Sequence, residues 1–242
     1  MKRRILPEND SDFELSNELD RVVFVAVIHT DIESVDCARD AVRTIQPDVV
    51  AVELDHQRYQ QLINPEKTME NWVNPSSGDA AQDLIQQMAV LEKNLGEMTG
   101  SNVGEEMLAA IEEGRKIGAK IALVDRPMHA TMEAIAKVPL EEIYRLMGAV
   151  PDAKKDLQEG DGTDILAMLK EEGAIENLLR DFNSEYPNLA GALIHQRDLY
   201  VANALRSILN DVPGKIVAVL GAGHIEGVRK ALAALLEPEA AS

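Results

Sequence analysis

Four short runs of apolar residues constrain the fold of this chain more than any other feature of its sequence. The runs are rich in β-branched side chains, which is typical of strands that are buried on both faces of a sheet. Amphipathic stretches with helical spacing separate them. This order of elements predicts an α/β fold with a central, largely buried β-sheet flanked by helices. We allow for some antiparallel pairing in that sheet. The predicted strands are residues 21–28, 47–55, 120–124 and 216–220.

The charge of the chain excludes several classes of partner. It carries 42 acidic and 24 basic residues, for a net charge of −18. Such a field repels phosphate groups, so we expect no nucleic acid and no anionic membrane surface as partners. No apolar run approaches the roughly 20 residues of a membrane span. The absence of a secretory signal and the single Cys37 lead us to expect a cytoplasmic protein.

The domain organisation is predicted from breaks in the apolar pattern. We expect a flexible lead-in over residues 1–20, one α/β domain over residues 21–236 and a tail over residues 237–242. Residues 139–189 are acidic and mainly helical, with a break expected at Pro151. They predict a helical insertion or lid between the third and fourth core strands.

Each predicted strand ends in a side chain that can take part in chemistry. His29 follows the first strand, Glu53 ends the second, Asp125 and Arg126 follow the third, and His224 follows the fourth. Because the carboxyl ends of parallel strands open onto the ligand crevice of an α/β sheet, we expect these groups to meet. Two imidazoles and a carboxylate suit a divalent metal such as Mn, Co or Zn.

Arg197 is expected to face the same crevice. It precedes Val201, Ala204 and Ile208 by four, seven and eleven residues in a predicted helix, so it continues the buried face. A guanidinium group in that position requires a carboxylate, a ligand or the crevice itself.

The roles of these residues have alternatives. Glu53 could be the third metal ligand or the general base, and Arg126 and Arg197 would position the substrate or stabilise an oxyanion. In a purely structural interpretation, His29 caps a helix, His224 donates to a carbonyl group, and Glu53 pairs with Arg126 or Arg197.

The glycine-rich turn before His224 does not fit a dinucleotide site. Gly221 and Gly223 are followed by Gly227, which comes one residue too late for the Gly-x-Gly-x-x-Gly motif. No predicted strand follows to supply the acidic residue that binds the ribose.

With these residues in view, the chain resembles the TraB family, also called the pheromone-shutdown family, and through it the Tiki-type metalloproteases. The most specific matches are the PDVVAVELD block and the final GxxH motif. The resemblance covers residues 21–232 and is carried by the segments 26–29, 47–55, 117–126, 195–198 and 221–224.

The resemblance implies that His29 and His224 bind a divalent metal and that Glu53 and Arg126 lie beside it. It also implies metal-dependent peptide cleavage. The chain departs from the family pattern at two positions: Ala26 replaces the glycine of the first GxxH motif, and Gln196 replaces the usual glutamate.

We therefore expect a metal-dependent, peptidase-like hydrolase that acts on a peptide or small-molecule substrate, and we allow for a homodimer. One alternative is a non-catalytic regulator that binds a peptide or small ligand in the same crevice. Another is a hydrolase of a non-peptide ester.

Overall fold

A computed structural model describes residues 18–29, 31–64, 79–99, 101–159 and 162–237 of the chain. Residues 1–17 and 238–242, which make up most of the predicted lead-in and tail, lie outside the described residues. Within the described part, four strands form one sheet. They are β1 (Val22–Val27), β2 (Val49–Val52), β3 (Lys120–Leu123) and β4 (Ile216–Gly221).

The order of the strands across the sheet is β1-β4-β2-β3, and every pair of neighbours is parallel. Val27 pairs with Gly221, and Val52 pairs with both Val219 and Leu123. The carboxyl ends of all four described strands therefore lie along one edge of the sheet. This arrangement confirms the predicted α/β fold, and no antiparallel pair occurs among these strands.

Helices connect and cover the strands. They are α1 (Ile32–Ile45), α2 (His56–Ile63), α3 (Ala80–Thr99), α4 (Glu105–Lys116), α5 (Met128–Ile135), α6 (Leu140–Glu159), α7 (Gly162–Leu169), α8 (Ala174–Glu185), α9 (Pro187–Ala190), α10 (Gln196–Asp211) and α11 (Ile225–Leu236). A π-helical turn, Gly191–His195, joins α9 to α10. Among the described helices, none combines the length and apolarity that a bilayer crossing requires.

Alternate side chains of β4 enter two separate cores, one on each face of the sheet. Ile216, Ala218 and Leu220 lie in a core with residues of α10 and α11. Val217 and Val219 lie in a second core with residues of α1 and α4. All five side chains are fully buried, as expected for a strand between two helical layers.

A third apolar cluster lies beside these layers and includes residues of α3, α5 and α6. Leu84, Ile135 and Ile143 are buried there, together with Leu189 of α9. The break predicted at Pro151 is wrong, because α6 continues through it. Since α6 packs along α3, that packing compensates for the hydrogen bond that Pro151 cannot donate. The role of residues 139–189 as an insertion or lid stays a prediction.

Candidate functional site

His29 follows β1, and a buried carboxylate fixes its imidazole. Its Nδ1 lies 2.6 Å from Oε1 of Glu106, which comes from the first turn of α4 and is 1% exposed. Burial lowers the pKa of His29, but the hydrogen bond to Glu106 and the charges of Glu106 and Glu53 outweigh burial and raise the pKa above its usual value. With Nδ1 held by Glu106, the ring has its Nε2 atom available for a ligand.

His224 is held in the same way from a different helix. It ends the 3₁₀ turn Ala222–His224, which joins β4 to α11. Its Nδ1 lies 2.6 Å from Oδ1 of Asp198, a buried residue of α10. Two loops at opposite ends of the chain therefore each present an imidazole whose Nδ1 is bonded to a buried carboxylate.

Glu53 follows β2 and uses both carboxylate oxygens. Its Oε1 accepts a 2.7 Å hydrogen bond from Arg197, and its Oε2 accepts one of the same length from the backbone N–H of Gly221. Burial raises the pKa of Glu53, but the charges of His224, Arg197 and His29 outweigh burial and lower the pKa to about 2. Glu53 is therefore ionised at neutral pH.

The three predicted metal ligands meet beside Gly221. A methyl group added to Gly221 would lie 3.2 Å from Nε2 of His29, 3.4 Å from Oε2 of Glu53 and 3.6 Å from Cδ2 of His224. The missing side chain thus leaves a small space that both imidazoles and the carboxylate border. A side chain at position 221 would occupy this space.

Arg197 links Glu53 to the third strand. Its Nε and Nη2 donate to the two carboxylate oxygens of Asp125 at 3.0 and 2.7 Å, and Nη1 lies 3.3 Å from Nε2 of His224. Burial disfavours its charge, but Glu53 and Asp125 outweigh this effect and hold the pKa of Arg197 above its usual value. Arg197 therefore lies on the buried face of α10 and contacts the site, in the position that its spacing predicts.

Arg126 lies next to this network but turns away from it. Its side chain donates to Oγ1 of Thr131 at 3.2 Å, to Oε1 of Gln196 at 3.2 Å and to the carbonyl oxygen of Ala192 at 2.7 Å. Ala192 belongs to the π-helical turn just before α10. Burial and the nearby charge of Arg197 lower the pKa of Arg126. Its contacts tie β3 to the turn that positions Arg197.

The side chains at this point have the right chemistry to bind a metal ion, but their present positions are not those of a formed metal site. Among the described residues, no three His, Cys, Asp or Glu side chains form a cluster that is ready to hold a metal. The guanidinium of Arg197 lies between His224 and Glu53, with contacts to both. The two imidazoles and the carboxylate are nevertheless ligands that transition metals prefer, and the space beside Gly221 adjoins all three.

The structure thus brings His29, His224, Glu53 and Arg197 together, whereas Arg126 contacts the supporting turn. Their metal-binding and catalytic roles stay predictions. Sequence reasoning missed the two carboxylates that hold the imidazoles. Helical spacing offered one signal for Glu106. It lies four and seven residues before Ala110 and Glu113, which are buried, so it belongs to the buried face of α4.

Residues of the segment 139–189 contact both histidine loops. Lys170 donates to Oδ1 of Asp31 at 3.1 Å and to Oε2 of Glu33 at 2.7 Å, at the start of α1 just after His29. A methyl group on Gly223 would lie 3.6 Å from Leu179 of α8. This segment therefore lies against both loops that carry the imidazoles.

Comparison with known proteins places the chain in a family. An uncharacterised protein of Methanocaldococcus jannaschii is 28% identical over 215 residues, which cover 88% of this chain and 53% of that protein. TraB domain-containing proteins of Homo sapiens and Bos taurus are each 27% identical over 240 residues, which cover 87% of this chain and 62% of theirs. The chain therefore spans between about half and three fifths of the length of these relatives. A model of the TraB/PrgY/gumN family matches residues 14–240, which confirms the resemblance seen in the sequence: the chain belongs to the TraB/PrgY/gumN family.

Proposed function

We propose that this protein is a metal-dependent hydrolase whose metal is held by His29 and His224. The observation that supports the proposal most is the pair of 2.6 Å hydrogen bonds to Glu106 and Asp198. Histidines that bind a metal almost always donate their second ring N–H to a carboxylate or carbonyl group, which fixes the ring and makes the ligating nitrogen more basic. Two such pairs on separate loops support a common ligand between the rings.

Glu53 is the third ligand in this proposal. Holding a metal would require Arg197 to give up its contact with His224 and to donate chiefly to Asp125, which already accepts two of its N–H groups. A general base works best when its pKa lies near the working pH. Since the pKa of Glu53 is about 2, we assign it as a ligand and as the anchor of Arg197.

In the proposed reaction, the metal ion and the positive charge of Arg197 would act together. When bound, a divalent ion supplies a Lewis acid that polarises a carbonyl group and acidifies water. Arg197 holds a positive charge beside His224, where it can stabilise the oxyanion that develops during hydrolysis. Arg126 acts as a positioning residue, because its side chain donates to three acceptors of the protein itself. A peptide is the substrate class that the resemblance to Tiki-type proteases implies, and a non-peptide ester is the alternative.

Metal analysis of the purified protein tests the proposal. Elemental analysis and titration calorimetry with Mn²⁺, Co²⁺ and Zn²⁺ should give one ion per chain for the wild type, and His29→Ala and His224→Ala should lose it. His195→Ala is the matched control, because His195 is exposed and bonds Asn183. Binding that His29→Ala and His224→Ala both leave unchanged would refute the metal site.

Turnover is tested separately on a mixed library of fluorogenic peptides and on a simple ester. We expect hydrolysis that a chelator abolishes, that added metal restores and that Glu53→Gln lacks. Equal rates for the wild type and Glu53→Gln would remove Glu53 from the mechanism. Cleavage of the ester alone would favour the ester hydrolase.

A second candidate function is a non-catalytic regulator that binds a peptide or small ligand in this crevice. The position of the Arg197 guanidinium between His224 and Glu53, with contacts to both, favours it, since a cation already lies among the predicted metal ligands. A regulator would bind ligand without turnover, and Arg197→Gln would then weaken binding.

A further inference from the structure

Three arginines lie near Asp125, namely Arg58, Arg126 and Arg197, and they differ in how many of their side-chain nitrogens are engaged. Arg197 donates through all three of its nitrogens, to Asp125, Glu53 and His224. Arg126 is buried, and all three of its side-chain nitrogens donate to uncharged acceptors. Every side-chain nitrogen of these two arginines therefore already has an acceptor within the protein.

Arg58 differs from both. Its Nη1 donates to Oδ2 of Asp125 at 3.1 Å, and the described residues accept no other side-chain hydrogen bond from it. A guanidinium carries five N–H donors, so most of those of Arg58 are available. Its side chain is 35% exposed, whereas that of Asp125 is 2% exposed. Arg58 therefore joins the buried network to solvent.

The backbone of Arg58 is well fixed for a residue whose side chain reaches solvent. It lies in the first turn of α2, where Oδ1 of Asp55 accepts hydrogen bonds from the backbone N–H groups of Gln57 and Arg58 at 2.7 and 3.1 Å. Asp125 holds the other end of the side chain. A cation that is fixed at two points but keeps unengaged donors is suited to bind an anion with little loss of conformational entropy.

Arg58 is also connected to the centre of the site. Asp125 accepts from both Arg58 and Arg197, and Arg197 donates to Glu53. One carboxylate and one guanidinium thus separate Arg58 from the proposed metal ligand.

We infer that Arg58 is the specificity residue of this site and binds a carboxylate group of the substrate. The inference rests on the proposed function and adds its substrate class: a peptide with a carboxylate near the bond to be cleaved. That carboxylate could be the free C-terminus or an acidic side chain, and the experiment separates the two sources.

The test measures binding and needs no turnover. Fluorescence anisotropy would follow three labelled hexapeptides on the full chain: one with a free C-terminal carboxylate and no acidic side chain, its carboxamide, and a carboxamide with an internal aspartate. Wild type should bind at least one carboxylate-bearing peptide about tenfold or more tightly than the plain carboxamide. Tenfold corresponds to about 1.4 kcal/mol, which one charged hydrogen bond can supply. The peptide that binds tightly identifies the source.

Arg58→Gln should remove this preference, and Arg58→Lys should keep part of it, because lysine preserves the charge but not the two-pronged donor. Arg39→Gln is the matched control, since Arg39 is 31% exposed and pairs with Asp36 at 2.8 Å. If Arg58 only formed a structural ion pair with Asp125, Arg58→Gln would slightly lower the stability of the protein. The preference for carboxylate-bearing peptides would then be unchanged.

A preference that Arg58→Gln retains, or equal affinity of the wild type for all three peptides, would overturn the inference. Failure of the metal analysis would leave this binding result unaffected. The two proposals can therefore fail independently.

Discussion

Replacing Gly227 with alanine should break the support of His224. Gly227 lies in the first turn of α11, and an alanine Cβ there would overlap Oδ2 of Asp198. The buried carboxylate must then move, and its 2.6 Å bond to Nδ1 of His224 is lost. Losing a charged hydrogen bond costs about 1.5–3 kcal/mol. Replacing glycine with alanine inside a helix stabilises the helix by up to about 1 kcal/mol, which offsets part of this cost. We therefore expect a net loss of about 0.5–2 kcal/mol in the free energy of unfolding.

Urea denaturation measures this change, and Gly148→Ala is its matched control. Gly148 lies in α6 with nothing within 4 Å of an added Cβ, so its replacement should stabilise the protein by up to about 1 kcal/mol. In an Asp198→Ala background, Gly227→Ala should also stabilise, because the obstructing carboxylate is gone. If Gly227→Ala stabilises the protein with Asp198 intact, the close approach of α10 and α11 is refuted.

Three further predictions concern other contacts. Gly221→Ala should weaken divalent-metal binding about tenfold or more, because the added methyl group fills the space between the imidazoles, while stability stays nearly unchanged. An unchanged metal affinity in titration calorimetry would argue against a metal at this point. Glu113, whose pKa the hydrogen bond from Arg43 lowers to about 2 from 4.5, contributes stability above pH 4.5 that is lost as the pH falls toward 2. Glu113→Gln should therefore be less stable than wild type at pH 7, and urea titrations should show this difference shrinking toward pH 2; a constant difference would contradict the assignment. Gln196→Glu should stabilise the protein by about 1 kcal/mol in urea titrations, since the buried Arg126 would gain a charged acceptor; a loss of stability would contradict this.

The strand ends could be predicted from the sequence because each depends only on local pattern. A buried run followed by His29 or His224 needs no knowledge of neighbours, and parallel packing then brings the ends together. The order of the strands was not predictable, since the apolar runs are similar in character and nothing local distinguishes the central β4 from the edge strand β3.

The supporting carboxylates depend on which helix packs against which loop. Glu106 reaches His29 from α4 across 77 residues of sequence, and Asp198 reaches His224 from α10. No local pattern contains this pairing. The same limit applies to Arg126, whose turn toward Ala192 rather than toward the crevice is set by the π-helical turn.

The central position of β4 has a consequence for the protein during its synthesis. β1 and β2 do not pair with each other, and residues 216–221 must lie between them before the sheet can form. At about 5–20 residues per second, the ribosome needs roughly 10–40 s to pass from β1 to β4. A nascent chain lacks both the strand and the second imidazole throughout this time. The site therefore cannot be complete until translation has passed His224, so any activity it has is withheld from its surroundings until then.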